Sequence, residues 1–199
     1  MNGDTALMWA SLNGHTDVVR LLIDAQANLD MQNSNGETAL MGASRYGHTD
    51  VVRILVDARA NVDVQTNLGE TALMGASRNG HTDTVRLLVD ARATVDVQDD
   101  KYGWTALMSA SLNGNTDIVR LLVDGKANVD MQNNRGDTAL MWASQKGHTD
   151  IVRLLVDAKA TVDTQNSDGE TALTSASQYG HAAVVQLLRD AKPEASVLA

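Results

Sequence analysis

The sequence contains no cysteine and no phenylalanine, and it has a single proline among 199 residues. Without cysteine the chain can form neither disulfides nor a thiolate nucleophile, and its redox compartment is left open. Basic residues are also scarce, because 16 lysines and arginines stand against 25 aspartates and glutamates, giving a formal net charge of -9. An acidic surface repels nucleic acid and anionic membranes, so neither is expected as a partner.

Long apolar runs and catalytic motifs are missing as well. No apolar run approaches the ~20 residues of a membrane-spanning helix, and residues 1–4 do not begin a signal peptide. We therefore expect a soluble intracellular protein, cytoplasmic by default. The sequence has no phosphate-binding glycine loop, no Gly-x-Ser-x-Gly and no His-Glu-x-x-His. Neither an enzyme nor a cofactor is expected.

What the sequence does contain is one motif, Thr-Ala-Leu, at intervals of about 33 residues. The motif begins at Thr5, Thr38, Thr71, Thr105, Thr138 and Thr171. A period of this length is typical of a solenoid, in which small units contact mainly their neighbours. We predict one elongated domain over residues 1–199. The predicted repeats cover approximately residues 1–32, 33–65, 66–98, 99–132, 133–165 and 166–199.

The second unit shows the local signals most clearly. Turn residues 33–36 precede Thr38, a good helix N-cap, and Gly47 is suited to end the first helix because it tolerates left-handed backbone. A second helix is predicted over residues 50–57, with Thr49 as its cap. Its wide apolar face indicates burial against more than one neighbour. Each unit is therefore expected to form two short helices joined by a tight turn.

This pattern resembles the ankyrin repeat over essentially the whole chain. The family pattern of Thr-Pro-Leu-His, Gly-His, Val-Val-x-x-Leu-Leu and Gly-Ala-x-Val-Asn corresponds here to Thr38-Ala39-Leu40-Met41, Gly47-His48, Val51-Val52-Arg53-Ile54-Leu55 and Arg59-Ala60-Asn61-Val62-Asp63. The resemblance implies an all-α repeat solenoid, a curved stack of helix pairs with short β-hairpin-like fingers along one edge. It also implies binding of other proteins through the fingers and the inner helices.

Three departures from the family pattern recur. Alanine replaces the helix-opening proline, and methionine replaces the histidine whose hydrogen bonds tie turn to helix in that family. We expect apolar packing to substitute for those bonds. The post-helical glycine is also replaced, and each replacement should cost about 1 kcal/mol if its backbone stays left-handed. The residues at this position are Gln26, Arg59, Arg92, Lys126 and Lys159.

Histidine fills one position of the unit in five copies, and asparagine fills it in the fourth. The residues are His15, His48, His81, Asn115, His148 and His181. A metal-binding ladder is one interpretation, but adjacent helix layers pack ~8–10 Å apart, whereas zinc ligands lie about 2 Å from their ion. A turn-stabilising role is favoured, and no metal site is expected.

Charged residues also recur along the second helices. Arginine stands between two aspartates, as in Asp50, Arg53 and Asp57. This spacing predicts weak ion pairs on a solvated outer face. Calcium binding by the aspartates would need a loop with ligand spacing, which the sequence lacks.

The period breaks once, where the interval between Thr71 and Thr105 is 34 residues. The extra residue falls in the turn 99–104, in which Trp104 replaces an acidic residue of the other copies and Tyr102 stands where they carry mostly polar residues. Tyrosine and tryptophan are frequent binding hot spots, so this finger is a candidate partner-binding site. The alternative is that both rings fold back onto a neighbouring finger.

Other candidate partner-binding residues lie at variable positions that, by the resemblance, face the concave side or the finger tips. They are Trp9, Leu12, Arg45, Tyr46, Leu68, Arg78, Leu112, Arg135 and Trp142. Arg45 and Arg78 beside small glycines predict a shallow, locally basic pocket, and Trp142 with Leu112 predicts an apolar one. For Trp9 the alternative is exposure through truncation of an array.

The two ends of the chain differ. The first copy lacks its own finger, so we expect a partly open apolar edge and either a longer array or self-association through the first repeat. The last copy carries Gln186, Arg189 and 192–194 (Lys-Pro-Glu), which are typical of a polar cap. The sequence predicts a non-enzymatic scaffold that binds a protein partner. The alternative is an engineered or consensus-like scaffold without a native partner.

Overall fold

The computed structural model describes residues 2–191, and within this range it contains twelve helices and no strand. The helices pair in chain order into six helix–turn–helix units. They are α1 (Ala6–Leu12), α2 (Thr16–Asp24), α3 (Ala39–Tyr46), α4 (Thr49–Asp57), α5 (Ala72–Asn79), α6 (Thr82–Asp90), α7 (Ala106–Leu112), α8 (Thr116–Asp124), α9 (Ala139–Lys146), α10 (Thr149–Asp157), α11 (Ala172–Gln178) and α12 (Ala182–Asp190). The prediction of an all-α repeat solenoid is confirmed.

The first helix of each unit begins as the sequence predicts. The Thr38 hydroxyl accepts a hydrogen bond from the Met41 amide at 3.3 Å, and the equivalent threonine caps the first helix in every other unit. This bond satisfies one of the amides that a helix start leaves without a partner. Gly47 ends α3 in the left-handed conformation, which glycine adopts without steric cost.

The prediction that Thr49 caps the second helix was wrong. Helix α4 already includes Thr49, and its N-cap residue is His48, which makes no side-chain capping bond. The Thr49 hydroxyl instead donates to the Gly47 carbonyl at 3.4 Å. Asp50 lies in the first turn, where the helix dipole favours a carboxylate.

The expectation that methionine supports the turn by apolar packing alone was wrong for the first two repeats. In the first two repeats the N-cap amide lies 3.4 Å from a methionine sulfur, from Thr5 to Met8 and from Thr38 to Met41. A thioether sulfur is a weak hydrogen-bond acceptor. Methionine therefore keeps a reduced form of the reciprocal capping contact while its side chain stays buried.

The replaced post-helical glycines do adopt left-handed backbone. Their φ angles lie between 60° and 71° at Gln26, Arg59, Arg92, Lys126 and Lys159. Each of the first five units therefore carries a strained residue at this turn, which a glycine would relieve.

The core runs the length of the stack because neighbouring first helices contact one another and neighbouring second helices do the same. Leu40 and Leu73 of the first helices are almost completely buried, and so is at least one valine in each second helix, such as Val52, together with Leu55 and its equivalents in the later units. Within residues 2–191, no helix has the length and apolar character needed to cross a bilayer.

The fingers between units are turns joined to one another by backbone hydrogen bonds. Each finger tip donates one amide to a carbonyl of the preceding finger, at 2.8–3.0 Å. The bonds run from Ser34 to Asn2, Asn67 to Asn35, Asp100 to Leu68, Asn134 to Tyr102 and Ser167 to Arg135. We call the surface formed by the first helices and the fingers the finger face.

The predicted ion pairs on the second helices are absent. The ion pairs within residues 2–191 are Arg45–Glu37, Arg78–Glu70 and Arg135–Asp168, all on the finger face. The second-helix arginines, such as Arg53, are exposed. At an exposed position, water solvates both charges and side-chain entropy opposes a fixed pair.

The two ends differ as expected. In the first repeat Trp9, Val18 and Leu21 are exposed, and Val19 is the buried residue of α2. In the last repeat Gln186 and Arg189 are exposed. The rest of the predicted polar cap, residues 192–194, lies outside the described part of the chain.

Candidate protein-binding face

The histidine row holds neighbouring repeats together. His48 Nε2 lies 2.9 Å from the Leu12 carbonyl at the end of the preceding first helix. The same contact recurs from His81 to Arg45, His148 to Leu112 and His181 to Gln145. Asn115 donates instead to the carbonyl one residue earlier in the preceding first helix, that of Ser77. Among the described residues no three histidine, aspartate or glutamate side chains cluster as a metal site would require. These contacts therefore fix each unit relative to the first helix of the preceding unit, which forms part of the finger face.

A groove of about 800 Å³ opens on the finger face between the third and fourth repeats. Five candidate residues line it: Leu68, Arg78, Tyr102, Trp104 and Leu112. The other lining residues are Glu70, Asn79, Asp99, Lys101, Ser109 and Asn113. Four aliphatic or aromatic side chains therefore share the groove with seven polar or charged ones, so it offers both apolar surface and hydrogen-bonding groups to a ligand.

The irregular finger forms one wall of this groove. The Asp99 amide donates to the Trp104 carbonyl at 2.9 Å, and the Gly103 amide donates back to the Asp99 carbonyl at 3.0 Å. In the second finger the corresponding bond, from Asn33 to Glu37, closes a loop one residue shorter. The extra residue therefore widens the turn that carries Tyr102.

The two rings of this finger have different surroundings. Trp104 is half-buried, and its ring centroid lies 4.9 Å from that of Trp142 at an interplanar angle of 32°. Tyr102 is 54% exposed, with the Lys101 ammonium 4.7 Å from its ring centroid. Interaction with the Tyr102 side chain raises the pKa of Lys101. Trp104 thus packs on a neighbour while still lining the groove, and Tyr102 faces solvent.

The predicted basic pocket is not basic, because its arginines are neutralised within their own repeats. Arg45 lies 2.6 Å from Glu37, and Arg78 lies 2.5 Å from Glu70. Each pair joins a first helix to the finger that precedes it.

Arg135 forms a different kind of pair. It reaches the next finger, where Asp168 lies 2.8 Å away and raises the pKa of Arg135. Both partners of this pair are well exposed, so we expect the pair itself to add little stability.

The remaining candidates lie along the same face. A groove of about 200 Å³ is lined by Trp9, Leu12 and Arg45, and a smaller one of about 70 Å³ is lined by Arg135 and Trp142. Tyr46 is exposed and its ring centroid lies 6.4 Å from that of His48. The candidates therefore form three clusters along the face, with Tyr46 apart from them.

Sequence reasoning missed Asp99, which is buried in the wall of the main groove. A signal was present, because Asn33, Asn133 and Asn166 occupy the corresponding position of three other fingers. The aspartate at this position was therefore visible in the sequence as a second departure from the repeat pattern, besides the extra residue of the same finger.

Comparison with known proteins places these features in a family. The family model described as "Ankyrin repeats (3 copies)" matches residues 1–66, 58–132 and 121–197. A crystal structure of an ankyrin repeat domain from Acinetobacter baumannii AYE is 29% identical, with a TM-score of 0.86 over 93% of this chain and 96% of that one. A search of curated proteins gives no significant match. Ankyrin repeats are generally protein–protein interaction modules, typically without enzymatic activity. The chain belongs to the ankyrin repeat family.

Proposed function

We propose that this protein is a non-enzymatic scaffold that binds a protein partner through its finger face, centred on the groove between the third and fourth repeats. The observation that carries the proposal is the convergence of Leu68, Tyr102, Trp104 and Leu112 on one groove. Leu68 and Tyr102 are exposed on adjacent finger tips, where they can enter a partner without rearrangement of the fold.

The chemistry of these side chains suits a protein partner. Aromatic rings in a partly desolvated groove supply most of the binding free energy in many interfaces. Trp104 is held by its contact with Trp142, so its orientation is fixed before binding. Fixing a side chain in advance lowers the entropic cost of association.

The other candidate residues extend the proposed interface in both directions. Trp9, Leu12, Arg45 and Tyr46 lie on the first two repeats, and the fifth repeat adds a second cluster. That cluster consists of Arg135 and Trp142. A partner that spans all three grooves would contact a polar rim of paired charges around an apolar centre, which is the usual anatomy of an interface.

The test is quantitative capture of partners from cell lysate by immobilised wild-type protein and by the Leu68→Ala, Tyr102→Ala double variant. Tyr179→Ala is the matched control, because Tyr179 is 53% exposed in the sixth repeat and Tyr102 is 54% exposed. We expect capture by the double variant to fall by about tenfold or more, as for the loss of hot-spot residues, and the control to match wild type. Equal capture by all three proteins would contradict the proposal.

We also propose that the first repeat supports self-association. Its exposed Val18 and Leu21 occupy positions that in later repeats, as at Val51 and Ile54, are covered by a preceding unit. Sedimentation equilibrium should show a concentration-dependent dimer that Leu21→Lys abolishes and Leu68→Lys leaves unchanged. A strict monomer at high protein concentration would refute this association.

A further inference from the structure

Asp99 occupies a position at which three other fingers carry asparagine. Asn33 donates its side-chain amide to the Asp4 carboxylate at 2.7 Å, and Asn166 donates to the Asp137 carboxylate at 2.7 Å. In both fingers the contact reaches a carboxylate that lies 29 residues earlier in the chain. Asp99 has no hydrogen to donate when ionised, so the fourth finger cannot form this contact.

The Asp99 carboxylate is buried and incompletely paired. The residue is only 7% exposed, and one carboxylate oxygen accepts the Tyr102 amide at 2.6 Å. Its second oxygen receives no hydrogen bond from residues 2–191, and no cation there lies within ion-pair distance of Asp99. Although Asp99 is largely buried, this second oxygen is not fully enclosed, so it can accept a hydrogen bond from an external cation.

The cations nearest to this carboxylate in the groove have other contacts. Arg78 pairs with Glu70, and the Lys101 ammonium lies over the Tyr102 ring. In addition, Trp104 stands where the second, third, fifth and sixth repeats carry an acid. The fourth finger thus combines one unpaired carboxylate with an aromatic ring that lines the same groove.

We propose that Asp99 is the anionic anchor of a subsite for an arginine side chain of the protein partner. The guanidinium would donate to the free Asp99 oxygen and stack on Trp104, because a flat, weakly hydrated cation suits both contacts. Leu68 and Leu112 would cover its methylene stem. The net charge of -9 favours approach of a basic segment. This inference rests on the proposed function of the same groove.

The test uses two peptides that differ in charge alone, acetyl-Ala-Leu-Arg-Leu-Ala-amide and its citrulline counterpart. Binding is followed by isothermal titration calorimetry with wild-type protein and with Asp99→Asn. Asparagine is the matched replacement because the second, fifth and sixth fingers carry it at this position. We expect the arginine peptide to bind wild type, with binding about tenfold weaker or worse after Asp99→Asn and for the citrulline peptide.

Equal binding of both peptides to wild type, undiminished binding of the arginine peptide to Asp99→Asn, or no binding of that peptide at millimolar concentration would each overturn the subsite. A thermal transition of Asp99→Asn at or above that of wild type shows that lost binding does not reflect misfolding. Capture from lysate separates the two proposals. Capture that survives Asp99→Asn but is lost in the Leu68→Ala, Tyr102→Ala variant keeps the groove and removes the arginine anchor.

Discussion

The fourth and sixth fingers build the same turn from different side chains. In the sixth finger, Asn166 accepts the amides of Asp168 and Glu170 and donates to the carboxylates of Asp137 and Glu170. In the fourth finger, the Asp99 carboxylate accepts one amide, from Tyr102, and has no hydrogen to donate.

The comparison indicates that the regular finger is optimised for its own stability. The fourth finger instead exposes an aromatic ring and leaves a carboxylate without an ion pair. Local departures of this kind, which lower stability while the surrounding fold compensates, are typical of functional sites.

The sharpest way to test the contrast within the fourth finger is to truncate its two rings separately. Trp104→Ala removes the contact with Trp142 and half-buried surface, so we expect the free energy of unfolding to fall by about 3 kcal/mol. Tyr102→Ala, at an exposed position, should change it by about 0.5 kcal/mol or less. Urea denaturation measures both, and equal losses would show that Trp104 is not a packed residue.

A second prediction uses the fourth repeat's asparagine to probe the histidine row. His81→Ala should lower the free energy of unfolding by about 1 kcal/mol, because the partly buried Arg45 carbonyl loses its hydrogen bond to His81. His81→Asn should retain most of that stability, since Asn115 also bonds a carbonyl of the preceding first helix, that of Ser77. His15→Ala is the control and should be neutral, because His15 is exposed. A large loss in the control would indicate a different role for the row.

Replacing the carboxylate by an amide in the fourth finger, and the amide by a carboxylate in the fifth, should change the free energy of unfolding in opposite directions. Asp99→Asn is expected to raise the free energy of unfolding by about 1 kcal/mol, because it removes an unpaired buried charge. Asn133→Asp should lower it by a similar or larger amount, because Asn133 donates to the Asp137 carboxylate at 3.3 Å. Thermal denaturation of both variants measures the pair. Stabilisation by both or by neither would remove the basis of the comparison.

The smallest expected effect concerns a hydroxyl common to regular and irregular repeats. Ser77 is completely buried and its hydroxyl has no hydrogen-bond partner among the described residues. Ser77→Ala should therefore stabilise the protein by about 0.5–1 kcal/mol. Ser177→Ala should be neutral or slightly destabilising, because the exposed Ser177 hydroxyl donates to the Leu173 carbonyl at 2.8 Å. Destabilisation by Ser77→Ala would imply a partner for that hydroxyl.

Much of the fold was predictable because its determinants are local and repeated. The threonine caps and the glycine stops follow from residue type at a fixed position. The left-handed backbone at Gln26, Arg59, Arg92, Lys126 and Lys159 does not follow from their residue types. The role of the histidines followed from their constant slot, although their carbonyl partners lie 36 residues away.

The site was less predictable because its contacts cross repeats or depend on rotamers. The Trp104–Trp142 contact joins side chains from adjacent repeats. Arg45 pairs with Glu37 and Arg78 pairs with Glu70, in each case with the residue eight positions earlier in the chain. Each pair joins a first helix to the finger before it. The spacing within a second helix predicted ion pairs that do not form, because water solvates the exposed charges. Sequence spacing alone does not distinguish an ion pair that forms from one that does not.

The most direct measurement for the account is the affinity of a captured partner for a finger-exchange variant. In this variant residues 99–104 are replaced by Asn-Ser-Asn-Gly-Glu, the sequence of the second finger at 33–37. We predict that the variant folds with the helix content of wild type and that the partner's dissociation constant rises by about tenfold or more. A folded variant that binds the partner as tightly as wild type would contradict the claim that the fourth finger forms the binding site.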